Sequence, residues 1–121
     1  MKKLIIAVDF DGTITKKNEY PKVGKADKKV TRLLRIIQEY HDLVLWTARH
    51  GDKDLAPALE LCYAEGLHFV AINDHHPLSK MQYKEEERGR KIYANFYIDD
   101  HSVINRKYIY KLLKHIIRKY C

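Results

Sequence analysis

The chain has 121 residues, of which 45% are hydrophobic and 32% charged, and a formal net charge of +7. That length suits one domain with one core and leaves no room for a second. No apolar run approaches the ~20 residues of a membrane-crossing helix, and Lys2-Lys3 leads into a short apolar run that ends in aspartates rather than small residues, so no signal peptide is expected. Cys62 and Cys121 form no disulfide framework and read as free thiols. The expectation is a soluble cytoplasmic domain whose charge favours anionic partners, phosphates or nucleic acid.

Leu4 to Val8 is an apolar run too short for a favoured helix and suited to a strand buried on both faces. It breaks into Asp9-Phe10-Asp11-Gly12-Thr13, where the spacing of two puts both carboxylates on one side of an extended path. Two anions held together need a cation or a proton between them. Residues 15 to 26, with lysines, Asn18, Tyr20-Pro21 and Gly24, have the composition of a polar hairpin or flap.

Asp27 reads as an N-cap, and behind it Val30, Leu33, Leu34 and Ile37 recur at helical spacing. Residues 43 to 46 form a second apolar strand ending at Thr47-Ala48-Arg49. Residues 53 to 65 predict a helix with Leu55, Ala58, Leu59 and Cys62 inward and Gly66 as its stop; Pro57 places its start near Leu55, so that the proline falls in the first turn. His68 to Ile72 is a third strand, and 77 to 90 is a charged segment with a short exposed helix or none. Ala94 to Ile98 is a fourth strand ending at Asp99-Asp100, and a last amphipathic helix runs from about Asn105, with Tyr108, Ile109, Leu112, Leu113, Ile116 and Ile117 on one side.

Strands alternating with helices predict an α/β fold: a doubly wound, mainly parallel sheet of about four strands, covered on both faces by right-handed crossovers. All four strands then end at one edge, which collects Asp9, Asp11, Thr47, Asp99 and Asp100, with Lys91 arriving just ahead of the fourth strand. In open sheets of this kind that edge is where ligands bind.

These residues resemble, in order and on the expected elements, the four motifs of the haloacid dehalogenase-like (HAD) superfamily, mostly phosphatases and phosphotransferases with a Rossmann-type fold. The resemblance spans Asp9 to Asp100: Asp9-Phe10-Asp11-Gly12-Thr13, then Leu45-Trp46-Thr47, then Lys91, then Asp99-Asp100. It implies that Asp9 is the nucleophile and Asp11 the general acid and base. It also implies Mg2+ as cofactor, held by the Asp9 carboxylate, the Asp11 carbonyl and Asp99, with Asp100 acting from further out. Thr47 and the backbone around Ala48 would bind the phosphate, and Lys91 would offset negative charge.

The gaps from Ile14 to Ala26 and from Asn73 to Arg90 are too short for the cap domains that such proteins often insert, so the site is expected to be capless and open. That openness suits a small phosphorylated substrate covered by a neighbouring subunit of a homo-oligomer, or a phosphorylated polymer; the small ester is preferred over nucleic acid, and no membrane partner is expected. Arg49 is a secondary candidate for gripping the phosphate or leaving group. His75-His76 beside Asp74 do not make a zinc site, since adjacent histidines do not easily face one ion and no third ligand stands at a recognised spacing. A Toprim-like nuclease would need a glutamate where Asp9 stands, and a receiver domain would need its acceptor aspartate after the third strand. A basic binding module that kept the fold and lost activity is the remaining alternative.

Overall fold

The computed structural model describes residues 2–82, 92–99 and 105–121. Lys91 and Asp100 lie outside the described residues, as does most of the charged segment that precedes the fourth strand. Four parallel strands, β1 (Ile5–Val8), β2 (Asp42–Leu45), β3 (Ala71–Ile72) and β4 (Phe96–Ile98), lie in the order β3-β2-β1-β4. The helices are α1 (Lys28–Gln38), α2 (Gly51–Ala64), α3 (Pro77–Gln82) and α4 (Arg106–Tyr120). This is the expected doubly wound, Rossmann-like α/β fold, and no cap domain interrupts the described residues. Among them no helix is long and apolar enough to cross a membrane.

The strand order explains how the faces are covered. Stepping from β1 to β2 to β3 in one direction by right-handed crossovers puts α1 and α2 on the same face, and the return to the far side of β1 must cross the other. The larger core accordingly joins Ile6, Val8, Leu43, Leu45 and Ile98 of the sheet to Val30, Leu34 and Ile37 of α1, Ala58 and Cys62 of α2, and Ile109, Leu113 and Ile116 of α4. The opposite face is thinner: Ala7 and Val44 pack with Ile92 and Ala94 of the returning segment. There His76, just before α3, is buried, accepts the Leu78 N–H on Nδ1 and bonds Asp42 through Nε2 at 2.9 Å. His76 is thus a structural histidine.

Several elements differ from expectation at their ends. β3 is two residues long rather than five, being an edge strand paired on one side only, although Val70 N–H still reaches the Leu43 carbonyl and Asn73 N–H the Leu45 carbonyl. α2 starts at Gly51, not near Leu55, so Pro57 sits beyond the first turn. Proline there forfeits one bond, to Lys53; Asp52 and Asp54 at the positive end of the helix favour the longer element, and the neighbouring Asp54 carbonyl is taken by Arg49 Nη1 at 2.9 Å. Both cysteines are free, and burial pushes the Cys62 thiol up to about 12.

The hairpin expected over residues 15 to 26 is present. Thr15 bridges Ala26 antiparallel, and Lys16 N–H meets the Lys25 carbonyl at 2.9 Å. The two arms approach so closely at Gly24 that an added Cβ would lie 2.9 Å from the Lys17 carbonyl oxygen.

Candidate active site

β1 delivers Asp9 and then folds into a tight turn over Phe10–Ile14, in which Asp11 stays extended (ψ 122°) and Gly12 takes φ +77°. Only glycine adopts that φ readily, which is what lets the chain double back straight after two acidic residues. The Gly12 N–H is bonded by the Thr15 hydroxyl at 2.9 Å, and the Thr15 N–H by the Phe10 carbonyl at 3.2 Å.

The register places Val8 opposite Ile98, and Asp9 N–H donates to the Ile98 carbonyl at 2.9 Å. Asp9 and Asp99 therefore leave neighbouring strands at the same level. On the other side Trp46 N–H donates to the Val8 carbonyl at 2.8 Å, which carries Thr47 to the same edge from β2. Of the residues expected at this edge, Asp9, Asp11, Thr47, Ala48 and Arg49 line one cleft, and Asp99 follows β4 at the level of Asp9.

Two residues fix the loop after β2. Asn73, at φ +53°, accepts the Thr47 N–H on Oδ1 at 2.7 Å and donates from Nδ2 to the Arg49 carbonyl at 2.9 Å, so it brackets Thr47 to Arg49 from β3. The Thr47 hydroxyl oxygen accepts the Arg49 N–H at 3.2 Å, an arrangement that leaves the hydroxyl proton available as a donor toward the cleft. Asn73 was not singled out in the sequence. Its signal there is that asparagine tolerates the left-handed conformation needed at the end of a strand.

Arg49 stands on the expected edge loop but is buried rather than held out toward a phosphate or leaving group. It is 1% exposed, and all five of its guanidinium N–H groups are engaged. Nε and Nη2 fork the two Asp11 oxygens at 2.8 Å each; Nη2 also meets the Lys22 carbonyl at 2.7 Å, and Nη1 meets the Pro21 carbonyl at 3.3 Å and that of Asp54. The Phe10 and Tyr20 rings lie against it, with centroids at 5.3 and 5.1 Å. Its hydrogen bonds to Asp11 outweigh its burial and raise its pKa further. With every donor used, Arg49 has none left for a phosphate.

A cleft of about 320 Å³ opens between the ends of β1 and β2 and the hairpin. Asp9, Asp11, Thr47, Ala48 and Arg49 line its floor, and Asn18 and Tyr20 its hairpin side. The Tyr20 hydroxyl donates to Asp54 at 3.0 Å, and that bond raises the Tyr20 pKa.

Beneath the cleft the Phe10–Ile14 turn is held from α4. Arg106 donates to the Gly12 carbonyl at 2.7 Å from Nη1 and to the Thr13 carbonyl at 2.7 Å from Nη2, while its Nε meets Asp27 Oδ2 at 2.9 Å. Asp27, 3% exposed, is also the N-cap of α1, taking the Lys29 and Val30 N–H groups, and accepts the Tyr110 hydroxyl at 2.6 Å. Burial alone would raise its pKa, but the bonds from Tyr110, Val30 and Arg106 outweigh it and hold the carboxyl below the usual range.

The oxygen donors at the edge suit a hard cation. Magnesium takes few protein ligands and fills its other positions with water and substrate oxygens, so two carboxylates, Asp9 and Asp99, with the Asp11 carbonyl are a fitting set. Among the described residues no three His, Cys, Asp or Glu side chains converge as a metal cage would require.

No family model matches the chain, and a search of curated proteins finds no match. A conserved protein of Bacteroides thetaiotaomicron of known structure is 33% identical, with a TM-score of 0.72, over 94% of this chain and 92% of that one. Its description states no activity. Identity and coverage of that extent make this chain a member of the same family as the conserved Bacteroides thetaiotaomicron protein.

Proposed function

We propose that the protein is a magnesium-dependent phosphatase of the HAD type that hydrolyses a phosphate monoester through an aspartyl-phosphate. The observation that carries this reading is the delivery of Asp9, Asp11, Thr47 and Asp99 to one edge, the first three lining a single cleft. Asp9 attacks phosphorus, and the bond to the leaving oxygen breaks with its electron pair as Asp11 supplies the proton. Water then attacks the phosphorus of the aspartyl-phosphate, Asp11 takes a proton from it, and the Asp9 oxygen leaves as carboxylate. Magnesium bound by Asp9, the Asp11 carbonyl and Asp99 would supply charge stabilisation for the phosphoryl oxygens. The Thr47 hydroxyl donates to a phosphate oxygen, and Lys91 in this scheme offsets negative charge.

The cleft volume supports a small phosphate ester, and its openness leaves place for a neighbouring subunit to cover it. The alternative of a polyanion-binding module without turnover is supported by the outer layer of α1 and α4, whose sequences hold lysines and arginines and no carboxylate. A panel of phosphate monoesters with Mg2+, including a 3′-phosphorylated oligonucleotide, run beside a native mass measurement, separates these. Turnover of a small ester is the expected result. Absence of turnover on every ester overturns the enzyme reading, and a preference for the oligonucleotide overturns the small substrate.

A further inference from the structure

The charge of the chain is not spread evenly over its surface. α1 and α4 pack side by side, and between them they hold more lysines and arginines than the whole net charge of +7, with no carboxylate in either helix. Two acids meet these helices at their margins, where Glu65 pairs with Lys28 and Asp27 with Arg106. Lys107, Lys111, Lys114 and Arg118 recur at helical spacing and form one exposed stripe along the outside of α4, which Lys29 and Arg32 of α1 adjoin at Lys114. Among the described residues no ion pair neutralises any of them. The cations stand close enough that the pKa of Lys114 is lowered, chiefly by Lys29 and further by Arg118 and Arg32. Like charges gathered in this way repel one another, and a ligand carrying several anions in a row relieves that repulsion.

One side chain in the stripe narrows the kind of polyanion. Tyr108 is 44% exposed, and the ammonium groups of Lys107 and Lys111 lie 5.5 and 5.6 Å from its ring centroid. An aromatic ring among lysines takes bases by stacking and phosphates by charge, and it does so on an unpaired strand, whose base faces are open as those of a duplex are not. A bilayer would also attract the lysines, but helices that lie on membranes bury an apolar face. Among the described large apolar side chains of α1 and α4, only Ile36 is exposed besides Tyr108.

We propose that the outer face of α1 and α4 is a binding surface for single-stranded nucleic acid, the α4 stripe and its α1 neighbours taking backbone phosphates while Tyr108 stacks on a base. The stripe from Lys107 to Arg118 is about 16 Å long at the rise of an α-helix, room for several phosphates. None of its residues lines the cleft, so the proposal stands whether or not the cleft hydrolyses an ester.

The test is fluorescence anisotropy of a 3′-labelled oligothymidylate of about 12 nucleotides with a 5′-hydroxyl, titrated with the full chain in the presence of a chelator, so that the cleft is offered neither a phosphate monoester nor a metal. Saturable binding is expected at low salt, weakening about 10²-fold between about 50 and 200 mM. Lys111→Gln combined with Lys114→Gln should lessen the slope of log K against log salt by about one. Lys53→Gln combined with Lys80→Gln, which removes the same charge from α2 and α3, should leave that slope unchanged. Tyr108→Ala should weaken binding about fivefold or more at an unchanged slope. No saturable binding at low salt, or an equal loss in the two double variants, overturns the surface. Unchanged affinity in Tyr108→Ala, or displacement of the oligonucleotide by acidic phospholipid vesicles at equal phosphate concentration, overturns the assignment to single-stranded nucleic acid.

Discussion

Arg106 and Asp27 form a pair, Nε to Oδ2 at 2.9 Å, that joins the first turn of α4 to the N-cap of α1 beneath the turn bearing Asp11. Asp27 serves three partners at once, the α1 amides, Tyr110 and Arg106, while Arg106 serves the Gly12 and Thr13 carbonyls. Replacing Asp27 by Ala removes a cap and strands the hydrogen bonds of a nearly buried carboxylate, so a loss of about 3 kcal/mol in unfolding free energy is expected in urea titrations.

The pH dependence of that pair has a definite sign. The folded carboxyl titrates below its unfolded value, which is about 3.9 for an aspartate. Asp27 therefore contributes its full share above that pH and loses it as pH falls through the lower folded value. Unfolding free energy measured from pH 6 down to 2 should drop less steeply below pH 4 in Asp27→Asn than in the unmodified protein. Parallel curves would remove Asp27 from the acid-sensitive groups.

Asp9→Asn should abolish hydrolysis, by about 10³-fold or more, because an amide cannot form the acyl-phosphate. The fold should persist, since the amide is nearly isosteric with the carboxylate and the Asp9 N–H keeps its bond to the Ile98 carbonyl at the edge. Single-turnover assays together with far-UV spectra check both halves, and full activity in this variant would reassign the nucleophile.

Asp99→Asn should raise the magnesium concentration needed for half-maximal activity, with a smaller effect on the rate at saturating metal. A metal titration of each variant reads this directly. An unchanged titration would move the ligand role to Asp100.

Salt separates a small substrate from a polymer. Lys114 faces Lys29 first and then Arg118 and Arg32, and these like charges together lower its pKa. Such a layer would bind polyphosphates by counterion release, losing about 10²-fold or more between low and moderate salt, whereas a monophosphate held within the cleft should lose far less. Initial rates on a small ester at two salt concentrations should differ by less than about threefold.

Where one physical rule acted alone, the sequence already carried the answer. The apolar runs of β1 and β2 admit burial on both faces, and the N-caps Asp27 and Asn105 each take amides of the following turn. Thr47 and Asp99 follow from the strands that end beside them. Arg49 was legible as an edge residue but not as the partner of Asp11, because that pairing depends on where a hairpin from another part of the chain lays its carbonyls. Asn73 escaped for a similar reason, since its role is to bond a loop delivered by a different strand. Pro57 misplaced the start of α2 because tertiary bonds and first-turn acids outweighed the local signal of a proline.

The strand order bears on how the protein is made. β1, which carries Asp9, lies between β2 and β4, and the turn after it is held by Arg106, 94 positions further along the chain. During synthesis the two aspartates leave the ribosome well before β4, so one side of their strand stays unpaired until β4 emerges. Until then β1 is the edge of a three-stranded sheet, exposing a flat row of apolar residues and open ladder groups, the kind of surface that recruits chaperones or other nascent chains. Fragments that stop short of Phe96 should for that reason be poor reagents, prone to aggregate and without the edge that brings Asp9 and Asp99 to one level.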